Sequence, residues 1–259
     1  MTLMPSPFMQ SLIDLSVVAG SEILSIYATD FSAKAKGDLT PVTEADEAAE
    51  KIILAGLARI DASIPVISEE AASAGIIPEA SGKFFLVDPL DGTKEFISRN
   101  GEFTVNIALV EHGAPVAGVV YAPALKRIFW GETGKGAAQG VIAGDLATGW
   151  KPLGVRAVPG DGATVVASRS HRDQATEDYL KTVKVKSLCS AGSSLKFCLV
   201  AAAEADLYPR FGRTMEWDTA AGHAVLAAAG GKVVTVDGPA LTYGKRQRGY
   251  DNPGFIASA

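Results

Sequence analysis

The chain has 259 residues, a length that allows one large hydrophobic core or two modest ones. Hydrophobic residues make up 47% and charged residues 20% of the sequence, which is typical of a folded enzyme and excludes a disordered or fibrous chain. With 24 Lys and Arg against 29 Asp and Glu, the formal net charge of −5 excludes a global basic field for non-specific nucleic-acid binding, so a nucleotide ligand must be bound locally.

The cysteine content and the N-terminal sequence indicate where the protein works. Two cysteines, Cys189 and Cys198, are too few for a disulfide framework in a chain of this length and favour a reducing compartment. The apolar N-terminal stretch has no basic flank and is interrupted by Asp14, so we expect no export signal and no membrane-spanning helix. We therefore expect a cytoplasmic protein, or one that is peripheral at the inner face of the membrane.

Two amphipathic helices are predicted in the first quarter of the chain. Ser6 before Pro7 marks the start of the first helix, and apolar residues then recur at helical spacing up to Ile26. The second helix is predicted to start at Thr43 and carries an apolar stripe along residues 45–60. Residues 34–41 between them are polar and rich in turn formers, which predicts a loop that could move.

Short β-strands are predicted from residue 65 onward. They are residues 66–67, 84–87, 103–110, 116–121 and 127–130, with hairpin residues at 111–115, which indicates a mostly antiparallel sheet. Four glycines in residues 131–140 predict a flexible stretch that is poor in strands. A domain boundary is expected near Val158.

Strands and helices alternate in the remaining sequence, which predicts an α/β arrangement. The expected strands are residues 164–167, 183–186, 205–208 and 233–236, and the expected helices are residues 173–181, a segment from Gly192, and residues 217–229. We therefore expect an N-terminal α+β part, residues 1–158, that holds most metal ligands, and a C-terminal α/β part, residues 159–259, that holds Asp218 and the residues for substrate recognition.

The apolar strand at residues 84–87 ends in a turn that carries two carboxylates. Pro89 and Gly92 favour a tight turn, which would bring Asp88 and Asp91 close enough to repel each other unless a cation lies between them. Mg²⁺ is the natural ion because the ligands are oxygens and no His or Cys is nearby in sequence. Glu69, after the strand at 66–67, and Asp218, at a helix start, are candidates to complete the site.

Each of these signals also has an ordinary structural interpretation. A sequence of the type DxxDG is often only a turn, a pair of Glu residues is often only surface, and an Asp in a first helical turn is favourable to the helix dipole. The combination of all of them carries the metal-site hypothesis.

Three segments resemble the signatures of the inositol monophosphatase superfamily in order and spacing, and the resemblance spans nearly the whole chain. They are ISEE at 67–70, DPLDGT at 88–93 and WDTAA at 217–221. Within the superfamily the sequence is most similar to the CysQ-like branch of 3′(2′),5′-bisphosphate nucleotidases, through GSSLKFC at 192–198, YPRFG at 208–212 and NPGFI at 252–256. The resemblance implies a layered αβαβα sugar-phosphatase fold and inhibition by lithium.

The same resemblance implies the metal ligands and the catalytic pair. Two or three Mg²⁺ ions would be held by carboxylates and by one backbone carbonyl, from Glu69, Asp88, Leu90, Asp91 and Asp218. Thr93 would orient the attacking water and Asp46 would accept its proton. The alternative for Asp46 is structural, because Thr43 and Asp46 also fit a capping box at a helix start.

The predicted substrate contacts lie partly on this turn and partly farther along the chain. On the turn and its metal ligands they are Glu69, Leu90, Asp91, Gly92, Thr93 and Asp218, where the backbone N–H groups of Gly92 and Thr93 could bind a phosphate oxygen. Farther along the chain they are Ser168, Gly192, Ser193, Lys196 and Arg210.

Arg210 stands where inositol-preferring relatives usually carry Glu, and with Lys196 it favours a bisphosphorylated substrate. The alternatives are a solvated helix face for Lys196 and an ordinary surface charge for Arg210. Tyr208, Phe211 and Tyr243 would either stack on a base or lie in the core. His112, His171 and His223 receive no role, and His223 is expected to pack or cap.

The resemblance implies a phosphomonoesterase that converts 3′-phosphoadenosine 5′-phosphate to AMP and phosphate, which clears a by-product of sulfate assimilation. The alternatives are hydrolysis of inositol or histidinol monophosphate and, in a different class, a sensor of nucleotide or metal that has the fold without activity. The expected partner is a small nucleotide rather than a nucleic-acid polymer, and a homo-oligomer is compatible with the sequence.

Overall fold

The computed structural model describes residues 3–31, 33–35, 41–168 and 173–259. Within these ranges the helices are α1 Pro7–Tyr27, α2 Glu44–Asp61, α3 Glu69–Ser73, α4 Thr93–Ile97, α5 Gln174–Leu180, α6 Leu195–Ala201 and α7 Glu216–Ala228. The strands are β1 Ala33–Ala35, β2 Pro41–Thr43, β3 Val66–Ser68, β4 Lys83–Asp91, β5 Thr104–Glu111, β6 Ala114–Ala122, β7 Arg127–Glu132, β8 Gly136–Ala143, β9 Leu146–Pro152, β10 Ala163–Ala167, β11 Val185–Ser190, β12 Leu207–Arg210, β13 Lys232–Thr235 and β14 Phe255–Ser258.

The two large sheets alternate with helices in five layers. A seven-stranded sheet follows the order β3-β4-β5-β6-β7-β8-β9, and a five-stranded sheet follows the order β11-β10-β12-β14-β13. Helices α1 and α2 cover one face of the larger sheet, α6 and α7 lie between the sheets, and Tyr179 and Leu180 of α5 pack on the outer face of the smaller sheet. The predicted αβαβα architecture is confirmed.

The first two helices start where the sequence predicts. The Ser6 hydroxyl accepts a hydrogen bond from the Met9 N–H at 3.1 Å, and Pro7 occupies the first turn of α1. Thr43 and Asp46 form the predicted capping box of α2. The predicted mobile loop at residues 34–41 lies largely outside the described residues, and its two ends, at 33–35 and 41–43, pair as β1 and β2.

Helix α1 is long and apolar enough to cross a membrane by length and composition alone, although Asp14 and Glu22 interrupt its apolar sequence. Half of its most apolar window is buried in the protein, and the buried residues include Met9, Leu12 and Ile23 at 0% exposure. Its apolar composition is therefore accounted for by packing against α2 and β6.

The prediction of a flexible stretch at residues 131–140 is wrong. These residues complete β7 and form most of β8, which pair in antiparallel register from Arg127↔Val141 to Glu132↔Gly136. Two of the glycines serve close packing: a Cβ atom on Gly131 would lie 2.6 Å from the Cα of Val225 in α7, and one on Gly140 would lie 2.7 Å from the Trp150 ring. The sequence analysis also did not predict β9 or the C-terminal strand β14.

The strands divide near the predicted boundary at Val158, since residues 66–152 form the larger sheet and residues 163–258 form the smaller one. Helix α7 belongs to the second segment in sequence but packs on β5 and β6 of the first sheet. One hydrophobic cluster accordingly contains residues of both sheets, among them Phe129 and Phe255. The division into residues 1–158 and 159–259 stays a prediction.

Candidate metal centre and active-site cleft

The turn at the end of β4 presents the first carboxylate from a buried strand. Asp88 pairs with Asn106 of β5 and is 1% exposed, and the register shifts between Asp88 and Asp91. The Leu90 N–H donates to Asp88 Oδ1 at 3.1 Å, which fixes the turn. Gly92 then adopts φ 94°, a left-handed conformation that favours glycine, and α4 begins at the next residue.

Three carboxylates converge at this turn from separate elements. One oxygen from each of Glu69, Asp88 and Asp218 lies within 4.8 Å of the other two. Glu69 arrives there because β3 runs parallel to β4 with Ser68 opposite Val87, so both strands end at the same edge of the sheet. Asp218 lies in the first turn of α7, where its Oδ2 accepts the Met215 N–H at 2.9 Å.

The carboxylates of this cluster repel one another, and a bound cation would relieve that repulsion. Burial raises the pKa of Asp88 well above its usual range, and the charges of Glu69, Asp91, Asp218 and Asp46 raise it further. Burial likewise raises the pKa of Asp218, with added repulsion from Asp91 and Glu69. A bound cation would reverse this repulsion by favouring the ionised carboxylates.

The donor set fits a hard divalent ion. The ligand atoms that the structure brings together are carboxylate oxygens, and Mg²⁺ prefers oxygen ligands. His223 is a buried packing residue, because its Nδ1 lies 3.0 Å from the Tyr243 hydroxyl and burial lowers its pKa to about 4. Of the five predicted ligands, Glu69, Asp88 and Asp218 form the cluster, and Asp91 and the Leu90 carbonyl lie on the adjoining turn.

Asp46 forms the predicted cap and also contacts Thr93, its partner in the predicted catalytic pair. Its Oδ2 accepts the Thr43 N–H at 2.8 Å and the Thr43 hydroxyl at 2.7 Å, which forms the cap. Its Oδ1 accepts the Thr93 hydroxyl at 3.2 Å. The capped start of α2 therefore holds the second oxygen against the turn that follows β4, where Thr93 begins α4.

A cleft of about 370 Å³ opens over the carboxylates. Its described lining contains predicted site residues from both halves of the sequence, namely Glu69, Asp91, Gly92, Thr93, Ser168, Ser193, Lys196, Arg210 and Asp218. Asp46 and Asp88 are buried and do not line it. Four basic residues, two of them predicted, also face the cleft: Lys94, Lys196, Arg210 and Arg213.

Lys196 is not on a solvated helix face, since it is 5% exposed. Its ammonium donates to the carbonyls of Ala191 at 3.2 Å and Ser193 at 2.7 Å and lies 5.4 Å from the centre of the Tyr208 ring. Burial lowers the pKa of the Lys196 ammonium to about 8, and the negative charge of Asp91 offsets part of this decrease. Arg210 ends β12, and its guanidinium donates to the Gly212 carbonyl at 3.2 Å, which holds it at the cleft.

Other predicted residues are placed away from the ligand space. Gly192 does not line the cleft and packs against Glu102 instead. Its N–H donates to Glu102 Oε2 at 2.9 Å, and a Cβ atom on Gly192 would lie 2.5 Å from the Glu102 carbonyl oxygen. Tyr243 is a core residue at 5% exposure and Phe211 packs on Tyr179, whereas Tyr208 lines the cleft although it is only 4% exposed. His171 lies outside the described residues.

Sequence reasoning missed a group of polar residues around Asp91. The Asn106 amide donates to Asp91 Oδ2 at 3.3 Å, the Ser194 hydroxyl lies 3.2 Å from the same oxygen, and the Thr104 hydroxyl lies 2.9 Å from that of Ser193. The detectable signal was Thr104 and Asn106, two polar residues on one face of an otherwise apolar strand, both 0% exposed.

Comparisons with known proteins place this chain among its relatives. The family model described as the inositol monophosphatase family matches residues 4–258. The chain is 47% identical to the 3′(2′),5′-bisphosphate nucleotidase CysQ of Salmonella typhimurium, over 92% of this chain and 94% of that protein. It is 46% identical to the protein of the same name from Escherichia coli K12, over 93% and 95% of the two chains.

Solved structures show the same architecture. The crystal structure of CysQ from Bacteroides thetaiotaomicron, described as a bacterial member of the inositol monophosphatase family, matches with a TM-score of 0.81 at 40% identity and covers 97% of this chain and 96% of that one. The inositol monophosphatase from Anabaena matches in fold with a TM-score of 0.75 at 23% identity, over 97% of this chain and 90% of that one. This chain belongs to the inositol monophosphatase family.

Proposed function

We propose that the chain is a Mg²⁺-dependent phosphomonoesterase that hydrolyses 3′-phosphoadenosine 5′-phosphate to AMP and phosphate. The observation that carries this proposal is one cleft in which Glu69 and Asp218, which cluster with the buried Asp88, face the same space as Lys196 and Arg210. The names of the relatives that are 46–47% identical over more than nine-tenths of the chain support the same substrate class.

Mg²⁺ would be held by Glu69, Asp88, Asp91 and Asp218 together with the Leu90 carbonyl, and two or three ions are expected. When bound, Mg²⁺ neutralises phosphoryl oxygens, makes bound water more acidic and stabilises a leaving alkoxide. Gly92 lets the backbone approach the phosphate, because no side chain projects from it toward the cleft.

The Thr93–Asp46 pair would handle the proton of the attacking water. The Thr93 hydroxyl donates to Asp46 Oδ1, so its lone pairs are directed elsewhere and can accept a hydrogen bond from a water molecule. Transfer of that water proton through Thr93 to Asp46 is general base catalysis, which typically contributes a factor of about 10² to 10⁴ in rate.

The phosphate that is not cleaved would be bound by the basic residues of the cleft. Arg210 has a planar guanidinium that can bind phosphate oxygens in pairs, and Lys196 adds a positive charge beneath it. A monophosphate lacks the second anionic group and gains less from these cations. Recognition of a bisphosphate therefore follows from the charges of the cleft rather than from its metal ligands.

We place the activity in the cytoplasm, where 3′-phosphoadenosine 5′-phosphate would arise as a by-product of sulfate assimilation. Inhibition by lithium stays a prediction and is measured by adding LiCl to the Mg²⁺-dependent assay, with NaCl at the same ionic strength as the control.

The proposal is tested by comparing phosphate release from 3′-phosphoadenosine 5′-phosphate and inositol 1-phosphate at saturating Mg²⁺. We expect kcat/KM for the nucleotide to exceed that for the inositol ester, and EDTA to abolish both reactions. A preference for inositol 1-phosphate would overturn the nucleotidase assignment, and tight nucleotide binding without hydrolysis would indicate a sensor. The Asp88→Asn variant is the control for contaminating phosphatases.

A further inference from the structure

Ser194 stands at the start of α6 but does not cap that helix. Serine at this position normally accepts a hydrogen bond from an N–H of the first turn. Here no such bond forms, and the residue has helical angles of φ −67° and ψ −8°. The hydroxyl instead directs its single proton between two acceptors, the Asp218 carbonyl oxygen at 2.7 Å and Asp91 Oδ2 at 3.2 Å, as a three-centre hydrogen bond. Ser194 is 1% exposed, so water does not compete for these contacts.

The backbone around Ser194 is fixed by contacts other than its own hydroxyl. Ser193 adopts φ 56°, and its hydroxyl donates to the Asp91 carbonyl at 2.6 Å. The Lys196 ammonium donates to the carbonyls of Ala191 and Ser193 from the other side. The Ser194 hydroxyl can therefore be removed without removing the contacts that shape this loop.

The two partners of Ser194 belong to the two segments that supply carboxylates. Asp91 ends β4 of the larger sheet, and Asp218 lies in α7, more than one hundred residues later in the chain. Ser194 and Asn106 both contact Oδ2 of Asp91, and neither contact involves Oδ1. Donors that bind one oxygen of a carboxylate fix its orientation, and the loss of such a partner typically lowers metal affinity by about 10- to 100-fold.

We infer that Ser194 is a positioning residue for magnesium, whose hydroxyl joins the Asp91 carboxylate to the backbone of Asp218 and so sets the separation of the two ligand-bearing segments. This inference rests on the proposed function only in taking Asp91 and Asp218 as Mg²⁺ ligands. It does not depend on which phosphate ester is cleaved.

The test measures Mg²⁺ binding by calorimetry without nucleotide, for the wild type and for Ser194→Ala. We expect the variant to bind Mg²⁺ at least about tenfold more weakly, and saturating Mg²⁺ to restore kcat. Ser194→Cys keeps the size of the side chain with a weaker donor, so it carries the test if the alanine variant fails to fold. Ser187→Ala is the matched control, because its hydroxyl contacts Thr164 at 3.0 Å on the edge of the smaller sheet.

The outcomes separate this inference from the proposed function. Wild-type Mg²⁺ affinity in folded Ser194 variants, with only a lower unfolding temperature in EDTA, would overturn the positioning role and leave a structural one. No saturable Mg²⁺ binding to the wild type would overturn both proposals. Normal Mg²⁺ binding and a weakened Ser194→Ala site, without hydrolysis of the bisphosphate, would overturn the nucleotidase alone.

Discussion

Asp46 illustrates how single residues combine folding and chemistry in this site. One oxygen caps α2 through Thr43, and the other accepts the Thr93 hydroxyl, so helix formation and the orientation of the proposed catalytic pair depend on the same side chain. A substitution of Asp46 would disturb both functions at once. Thr93 makes no capping contact with α2, so a substitution of Thr93 tests the proposed chemical role of the pair separately from the helix cap.

Thr93→Val removes the hydroxyl at almost unchanged volume, and we expect kcat to fall by about 10² to 10⁴ while the unfolding temperature changes little. Thr93→Ser, which keeps the hydroxyl, should retain most of the activity. Steady-state kinetics at saturating Mg²⁺ give the comparison. A valine variant with wild-type kcat would remove Thr93 from the mechanism.

Arg210→Glu should discriminate between bisphosphate and monophosphate substrates. Charge-assisted hydrogen bonds are worth about 1.5–3 kcal/mol, so we expect KM for 3′-phosphoadenosine 5′-phosphate to rise at least about tenfold more than KM for 3′-AMP. Arg246→Glu is the control, because Arg246 pairs with Glu79 at 2.8 Å and does not line the cleft. Equal increases for both substrates would show that Arg210 does not bind the second phosphate.

His223 should make the free energy of unfolding depend on pH. Burial lowers its pKa from 6.5 to about 4, so the unfolded chain binds a proton more readily than the folded protein. This contribution to stability is present above pH 6.5 and is lost as the pH falls toward 4, by about 3 kcal/mol in total. Denaturant titrations of His223→Gln should show a smaller loss over this range than the wild type, and equal losses would contradict the shift.

At the scale of elements, glycines bring α7 onto the larger sheet. A Cβ atom on Gly118 of β6 would lie 2.6 Å from the Ala221 carbonyl oxygen and 2.8 Å from the Ala224 Cβ. Because α7 also carries Asp218, this contact helps to place that carboxylate beside Glu69 and Asp88 in the proposed metal centre. The glycines in 131–140 were mistaken for flexibility because sequence alone does not show which helix will pack against them.

Gly118→Ala should displace α7 and weaken Mg²⁺ binding. Overpacking of this kind costs about 1–3 kcal/mol of stability, and we expect the Kd for Mg²⁺ to rise because Asp218 moves with the helix. Gly140→Ala is a matched control, since its Cβ would press on Trp150 away from the cleft. Calorimetric titration of both variants separates the effects, and equal Mg²⁺ affinities would exclude α7 packing as a determinant of the metal centre.

At the scale of the whole molecule, the cleft joins both halves of the sequence. Glu69, Asp88 and Thr93 come with the larger sheet, whereas Asp218 and Arg210 come from the second half of the chain. The sequence predicted the carboxylates because strand ends, turns and helix starts leave local signals, whereas Thr93 and Arg210 were predicted through the resemblance to the family. It did not predict Ser194 or Asn106, because their partners are distant in sequence. It also did not predict the burial of Lys196, which depends on how the loop at residues 191–194 folds back on its helix.

The central claim is that this cleft removes one particular phosphate from a nucleoside bisphosphate in a reaction that requires Mg²⁺. ³¹P NMR of 3′-phosphoadenosine 5′-phosphate incubated with the protein tests it most directly. The account predicts that the 3′-phosphate signal is replaced by inorganic phosphate only when Mg²⁺ is present, while the 5′-phosphate signal persists as AMP. Loss of the 5′-phosphate, or equal rates in Mg²⁺ and EDTA, would contradict it.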